Sequence, residues 1–500
     1  MLRKIRRTAA IFCFVFTTLL FLDFTGTLHG WFGWLAKIQF VPALLALNVG
    51  VVLTFVLLTL LFGRIYCSII CPLGVFQDII SWIAGKRKKN RFRYSPAVGW
   101  LRYGVLVIFI IAFIAGVSSV VVMLEPYSAY GRIVSNLFAP LYQWGNNVLA
   151  YFSERINSYA FYSVDVWLKS IVTFAVVVVT FAALIILSWR NGRTYCNTIC
   201  PVGTLLGFIS KFSLFKLTFI EEKCGGCGLC ARNCKASCID VKAKRIDQSR
   251  CVTCFDCIEK CKFGAMRYAP RRIGNKKETV ENSSAVTPEQ VGISRRNVLS
   301  LITAFIVTNT IKAQQIKVDG GLATIEDKKI PSRKTPIVPP GAVSAKNLKD
   351  HCTACQLCVS ACPNGVLRPS SKLATFMQPE MSYERGYCRP ECTECSQVCP
   401  AGAIKPITTA DKSAISIGKA VWIKDNCVVN RDNIQCHNCE RHCPTGAISL
   451  VDKDLSSSNS LKIPVVNKEL CIGCGACENL CPARPFSAIY VEGNVRHHSI

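Results

Sequence analysis

Histidine is almost missing from the first 350 residues: His29 stands alone before His351. A b-type haem needs a pair of histidines on facing helices, so no such haem fits between the apolar segments. With no Cys-x-x-Cys-His anywhere, covalently attached haem is excluded as well. No glycine-rich phosphate loop sits between a strand and a helix, and no flavin signature is present, so direct use of a nicotinamide donor is not expected. Acidic residues are scarce, 31 against 59 Lys and Arg, which leaves a net charge of +28. No stripe of basic and aromatic residues accompanies that charge, which argues against a nucleic-acid partner. The basic residues gather beside apolar runs instead, as they do on the inner face of a membrane.

The chain has 500 residues, 51% of them hydrophobic and 18% charged, enough for several domains. Up to about residue 210 the apolar residues come in long runs, and beyond it the sequence reads as soluble and cysteine-rich. Four stretches, near residues 8–24, 41–62, 101–123 and 166–188, are long and apolar enough to span roughly 30 Å of hydrocarbon, which takes about 20 residues. Ile171 to Leu187 contains no charge, which disfavours a buried core helix. Arg3, Lys4, Arg6 and Arg7 precede the first span. Lys86, Arg87, Lys88, Lys89, Arg91 and Arg93 follow the second, and Arg190 and Arg193 follow the fourth. The bias of basic residues therefore predicts that both ends of this unit face the cytoplasm of an inner-membrane protein.

An internal repeat marks the ends of spans two and four. Gly63-Arg64-Ile65-Tyr66-Cys67-Ser68-Ile69-Ile70-Cys71-Pro72-Leu73-Gly74 matches Gly192-Arg193-Thr194-Tyr195-Cys196-Asn197-Thr198-Ile199-Cys200-Pro201-Val202-Gly203 at eight of twelve positions, as in a duplicated hairpin. Cys-x3-Cys places both thiols on one helical face and the proline ends or kinks that helix. Cys67, Cys71, Cys196 and Cys200 are candidates to bind a metal or cluster, to cycle between dithiol and disulfide, or to pack. With Arg64 and Arg193 they are also candidate catalytic groups for a quinol.

Thirty cysteines in tight, repetitive spacing point to metal ligation rather than disulfides. Cys224, Cys227, Cys230, Cys234 and Cys251, Cys254, Cys257, Cys261 both follow C-x2-C-x2-C-x3-C, the pattern of two-cluster ferredoxins, in which the fourth thiolate serves the other cluster. One 4Fe-4S cluster is expected on Cys224, Cys227, Cys230 and Cys261, the other on Cys251, Cys254, Cys257 and Cys234. Gly225, Gly226 and Gly228 permit close approach of the backbone. Zinc sites group cysteines in twos, not in consecutive fours. Lys235 and Lys262 stand where Pro is usual, and Cys13 and Cys238 are surplus.

Four further groups each end in Cys-Pro. Cys352, Cys355, Cys358, Cys362 and Cys471, Cys474, Cys477, Cys481 are regular. Cys388, Cys392, Cys395, Cys399 carry one extra residue in the first gap, and Cys427, Cys436, Cys439, Cys443 open with an eight-residue gap, so Cys427 is the weakest ligand candidate. These sixteen thiols suit four more clusters, about six in all, with pairing of adjacent groups or nested pairing both open. His351, His437 and His442 read as surface residues beside ligands.

The expected fold is multi-domain: an α-helical membrane bundle and two α+β ferredoxin-like 4Fe-4S domains. The bundle has four transmembrane helices, with a fifth, signal-anchor-like helix beyond it. The divisions fall at 1–215, membrane domain; 216–270, cytoplasmic two-cluster domain; 271–293, linker; 294–313, signal-like segment; 314–345, Pro-rich linker; and 346–500, four-cluster domain. Ser294-Arg295-Arg296-Asn297-Val298-Leu299 and the apolar run to Ile311 resemble a twin-arginine signal, which would carry the last domain to the periplasm. An interfacial helix that leaves it in the cytoplasm is the alternative. Ile311-Lys312-Ala313 is a poor peptidase site.

Taken together, residues 1–270 resemble NapH-type membrane ferredoxins, and residues 290–500 resemble NapG-type (MauM/NapG) ferredoxins. That resemblance implies a quinol dehydrogenase passing electrons from membrane quinol to a periplasmic acceptor or reductase, nitrate reductase being typical. The membrane unit also resembles accessory proteins for copper-enzyme assembly and nitrous-oxide reduction. In either case two sets of clusters would lie on opposite sides of about 30 Å of hydrocarbon. A quinone in the bundle, or a cofactor at the four thiols, would have to join them.

Overall fold

The computed structural model describes residues 1–23, 25–87, 92–158, 160–270, 318–319, 323–324, 326–453 and 460–500. The linker 271–293 and the twin-arginine-like segment 294–313 lie outside the described residues.

Two helices, Leu2–Leu22 and Ile171–Asn191, are long and apolar enough to cross a membrane. In their most apolar windows only 28% and 22% of residues are buried, so their apolar faces point outward. The other two stretches are broken, which corrects the expectation of four continuous spans. The second divides into Phe40–Leu45 and Val49–Phe62. Leu47 turns left-handed between them (φ +53°) and the Asn48 side chain caps the next helix by accepting from the Val51 amide. The third ends as Gly99–Ile114, reverses at Gly116 (φ +69°) and resumes as Ser118–Leu124.

All four stretches run between the same two bodies, alternating in direction. Leu2–Leu22, about 30 Å at 1.5 Å per residue, starts with Arg3 on Asp256 (2.6 Å) of the first cysteine-rich unit. Near its other end the Phe21 ring lies against Gly131, which also abuts the Cys355 carbonyl of the second unit. Val49–Phe62 runs the opposite way, its Phe62 carbonyl accepting from Tyr268 (3.0 Å). The third stretch leaves Arg102 on Ser249 (2.9 Å) and reaches Leu373 through Ser119 (2.7 Å). Before the fourth, Lys169 bonds the Val359 carbonyl (2.8 Å); after it, the Arg193 amide bonds the Lys235 carbonyl (2.8 Å). Between them Pro126–Ile133 is a short helix in which every residue is buried.

The first unit is closed by an antiparallel pair, Phe215–Phe219 with Met266–Pro270, which brackets both of its cysteine groups. The second holds three antiparallel pairs: Leu367–Pro369 with Pro379–Met381, Ile415–Trp422 with Ile489–Ser499, and Ile448–Asp452 with Lys462–Val466. Its core is continuous with that of the bundle, Leu348, Leu357 and Val359 joining Phe21, Tyr127 and Tyr130. The Pro-rich stretch expected as a linker is instead packed into this unit from residue 329. The Lys329 amide bonds the Pro485 carbonyl (2.8 Å), the Met381 amide bonds the Ile337 carbonyl (2.9 Å), and Ile337 is fully buried. Prolines fix φ and donate no N–H, so they suit an extended strap as well as a linker.

Candidate iron-sulfur sites

Each regular cysteine group curls in the same way. The residues two and four places after the first cysteine are left-handed: Gly226 and Gly228, Thr253 and Phe255, Ala354 and Gln356, Gly473 and Gly475. Alternating hand turns successive amides toward one centre, a concavity suited to anionic sulfur. A four- or five-residue helix then carries the third cysteine, as in Leu229–Arg232 and Asp256–Lys260. Gly225, unlike its neighbours, is not left-handed.

The two stretched groups solve the problem differently. Thr393 and His437, each following the second tightly spaced cysteine, keep φ near −119°, and the extra chain length makes the turn. After Cys427 the chain forms Val428–Arg431 and returns through Asn433 (φ +51°) to Cys436. Cys427, the least secure candidate from spacing, lines the same hollow as Cys436, Cys439 and Cys481.

Three such hollows bring adjacent groups together, an arrangement that spacing left open. One is lined by Cys388, Cys392, Cys395 and Cys362, another by Cys471, Cys474, Cys477 and Cys443, and the third by Cys427, Cys436, Cys439 and Cys481. Cys352, Cys355, Cys358 and Cys399 lie within electrostatic range of one another. Adjacent groups are therefore paired, each lending its fourth cysteine to its neighbour. The first unit does the same: Cys230 lies beside Cys227 and Cys261, and Cys257 beside Cys251, Cys254 and Cys234.

The donor sets fit a cluster core. Among the described residues no three His, Cys, Asp or Glu side chains converge closely enough to hold one metal ion. Amides donate to sulfur at Cys352 (from Ala354, 3.3 Å), Cys261 (from Ala265, 3.2 Å) and Cys481 (from Ala488, 3.3 Å). Burial pushes the Cys254, Cys439 and Cys474 thiols up to about 12. Cys238 is 1% exposed and its sulfur lies 3.5 Å from that of Cys234. Its hydrogen bond brings Cys234 down to about 7 against the opposing effect of burial. Cys13, within Leu2–Leu22, packs against the bundle core. His437 and His442 are exposed and His351 half-buried, its Nδ1 facing the Asn347 carbonyl (3.0 Å).

Hydrogen bonds and ion pairs connect the cysteine groups to one another and to the bundle. The Cys388 amide bonds the Cys474 carbonyl (2.9 Å), joining the two pairs of the second unit. At the bundle, Arg132 bonds the Ala354 carbonyl (3.4 Å) and Asn136 bonds Gln356 (2.7 Å), both in the loop that carries Cys355. On the other side Lys235, beside Cys234, pairs with Asp78 (3.3 Å) and Asp256 (3.0 Å). Asp78 also binds Arg193 (2.7 Å) and Arg6 (3.1 Å). This hub is the feature sequence reading missed, although Lys235 in place of proline was its trace.

Cys67, Cys71, Cys196 and Cys200 are all buried in the bundle between these two bodies. Arg64 and Arg193 are fully buried with them and cross over: Arg64 bonds the Cys196 carbonyl (3.3 Å) and Arg193 the Cys67 carbonyl (2.6 Å).

Residues 44–90 and 173–219 each match the family model described as a 4Fe-4S binding domain, and residues 351–403 and 434–484 each match the 4Fe-4S dicluster domain. The ferredoxin-type protein MauM of Methylobacillus flagellatus is 31% identical over 32% of this chain and 70% of its own length. The ferredoxin-type protein NapF of Escherichia coli K12 is 26% identical over 32% of the chain and 87% of its length. The putative electron transport protein YccM of the same strain is 25% identical over 44% and 55%. No solved structure matches.

Proposed function

Because this chain belongs to the MauM ferredoxin-type family and carries two further 4Fe-4S binding segments, we propose that it is a membrane-bound polyferredoxin. In this reading it moves electrons from membrane quinol to a periplasmic acceptor or reductase. Twenty-four cysteines hold six clusters: Cys224, Cys227, Cys230 with Cys261; Cys251, Cys254, Cys257 with Cys234; and the four sets of the second unit. Such clusters supply one-electron transfer and no proton chemistry. The chain's own residues fix their order, shield them with apolar side chains, and aim amides at their sulfurs.

The observation that carries this reading is the placement of the two cysteine-rich units. Two cysteine-rich bodies sit at opposite ends of the same apolar helices, and the outward apolar faces of those helices suit lipid. The basic residues at the ends of the spans support a reading with the first body in the cytoplasm and the second outside. Anaerobically purified protein mixed with a reduced menaquinol or ubiquinol analogue tests it. Cluster bleaching within seconds is expected, and no bleaching with either quinol would remove quinol as the donor.

A further inference from the structure

We propose that His29, backed by Asp23, takes the proton from quinol, at a site beside the cluster of Cys388, Cys392, Cys395 and Cys362. The proposal rests on quinol being the electron donor and adds where on the chain that donor is oxidised.

His29 belongs to the turn that follows the first span. Gly26 (φ +77°) bends the chain there so that one carboxylate collects the free donors of the turn. Asp23 accepts from the amides of Thr25 (3.0 Å), Gly26 (3.0 Å) and Leu28 (2.8 Å) and from the Thr25 hydroxyl (2.8 Å). Its second oxygen also lies 3.2 Å from His29 Nδ1. An ionised carboxylate only accepts, so Nδ1 carries the ring proton and Nε2 presents a lone pair. The His29 side chain is 8% exposed, and Nε2 is buried with no partner among the described residues. A fixed imidazole with a carboxylate behind it and an unused acceptor in front is the arrangement of a general base, and an O–H donor would complete it. Asp23 would also hold the imidazolium that forms.

The position suits a donor dissolved in lipid. Trp31, Trp34, Leu44 and Leu47, all in the connection between the first two spans, are exposed, as amphipathic and apolar side chains are at a membrane surface. Phe32 stacks on Phe16 (4.0 Å) and so ties the turn to the first span. The same connection meets the second unit. A Cβ at Gly26 would stand 3.5 Å from a Glu394 carboxylate oxygen, and one at Gly402 would stand 3.7 Å from Ala46. Glu394 lines the hollow of Cys388, Cys392, Cys395 and Cys362. An electron released beside His29 therefore has that cluster as a near acceptor.

Oxidation of one quinol to quinone breaks two O–H bonds and releases two electrons. The first proton forms an N–H bond at His29 Nε2, and one electron reduces a ferric iron of the neighbouring cluster to ferrous. Once His29 has passed its proton to water and the cluster has passed its electron to the next site, the second proton and electron follow the same two paths. The quinone then leaves.

Full-length protein purified anaerobically in detergent would be mixed with decylubiquinol or menadiol and cluster bleaching followed. His29→Asn keeps a donor toward Asp23 and removes the Nε2 lone pair. It should slow bleaching by quinol at least about 100-fold, through kcat rather than KM, with iron content, melting temperature and bleaching by dithionite unchanged. Bleaching of this variant as fast as wild type would overturn the site and keep quinol as the donor. No bleaching of wild type by either quinol would remove donor and site together. Should His29→Asn fail to accumulate, photolabelling of wild type with an azidoquinone decides. Label within residues 23–48 or 388–402 is expected, and label confined to other segments, the two bundle repeats among them, refutes the site.

Discussion

The four regular cysteine groups and the two stretched ones reach the same end by different use of the backbone. The regular groups compress three cysteines into seven residues and accept two left-handed residues each, even where the residue is Thr253, Phe255, Ala354 or Gln356. The stretched groups spend extra chain and keep Thr393 and His437 at ordinary angles. A non-glycine residue held left-handed costs on the order of 1 kcal/mol. The fold therefore stores strain in the regular groups and chain entropy in the stretched ones.

Gly475→Ala is expected to damage the regular design most. The residue sits at φ +80° and a Cβ there would overlap the Tyr383 ring, whose hydroxyl is fixed on the Gly473 carbonyl (2.7 Å). Loss of the cluster on Cys471, Cys474, Cys477 and Cys443, about four iron atoms, should follow, and iron assay checks it. Nearly as large should be Asp78→Asn. It leaves Arg193 and Arg6 buried without a counter-charge, at a cost of about 3–5 kcal/mol, read as thermal unfolding of the detergent-solubilised protein.

A sign reversal sharpens the comparison. Ala354→Gly relieves a left-handed alanine and should stabilise by about 0.5–1 kcal/mol. His437→Gly relieves nothing and should destabilise by a similar amount through the freer unfolded chain. Equal signs in a melting assay would break the distinction between the two designs. Cys238→Ala should keep all the iron but lower the midpoint of one first-unit cluster by some tens of millivolts, as a donor to Cys234 is lost, measured by potentiometric titration.

The smallest effect concerns pH. Burial, with His498 adding to it, brings His497 down to about 4. A histidine lowered in the folded state stabilises fully above its unfolded value of about 6.5 and loses that contribution as pH falls toward 4. The C-terminal strand should therefore loosen between those limits, seen as faster amide exchange around residues 496–499 at pH 5 than at pH 7 after correction for intrinsic rates. His497→Asn should flatten the difference.

The cysteine groups were legible because ligation to one cluster forces ligands close in sequence. Their pairing was not, since Cys399 and Cys352 are brought together only by the tertiary fold, and spacing allows nested pairing equally well. The apolar stretches were legible as runs, but the break at Leu47–Asn48 was hidden because hydropathy averages over a turn capped by one asparagine. Nothing in the sequence sets Asp78 apart from any other isolated charge. Only contact with Arg193, Arg6 and Lys235 shows it as the joint between the bundle and the first ferredoxin unit. The Pro-rich strap failed for the opposite reason: a composition typical of linkers also suits an extended segment buried along a sheet.

The central claim is that one line of cysteine sites connects the two ends of the molecule. Proteoliposomes carrying the full-length protein, with ferricyanide trapped inside and dithionite added outside, test it most directly. The line predicts protein-dependent loss of internal ferricyanide that is abolished in the Cys67→Ala, Cys196→Ala variant. Loss no faster than in protein-free vesicles would contradict it.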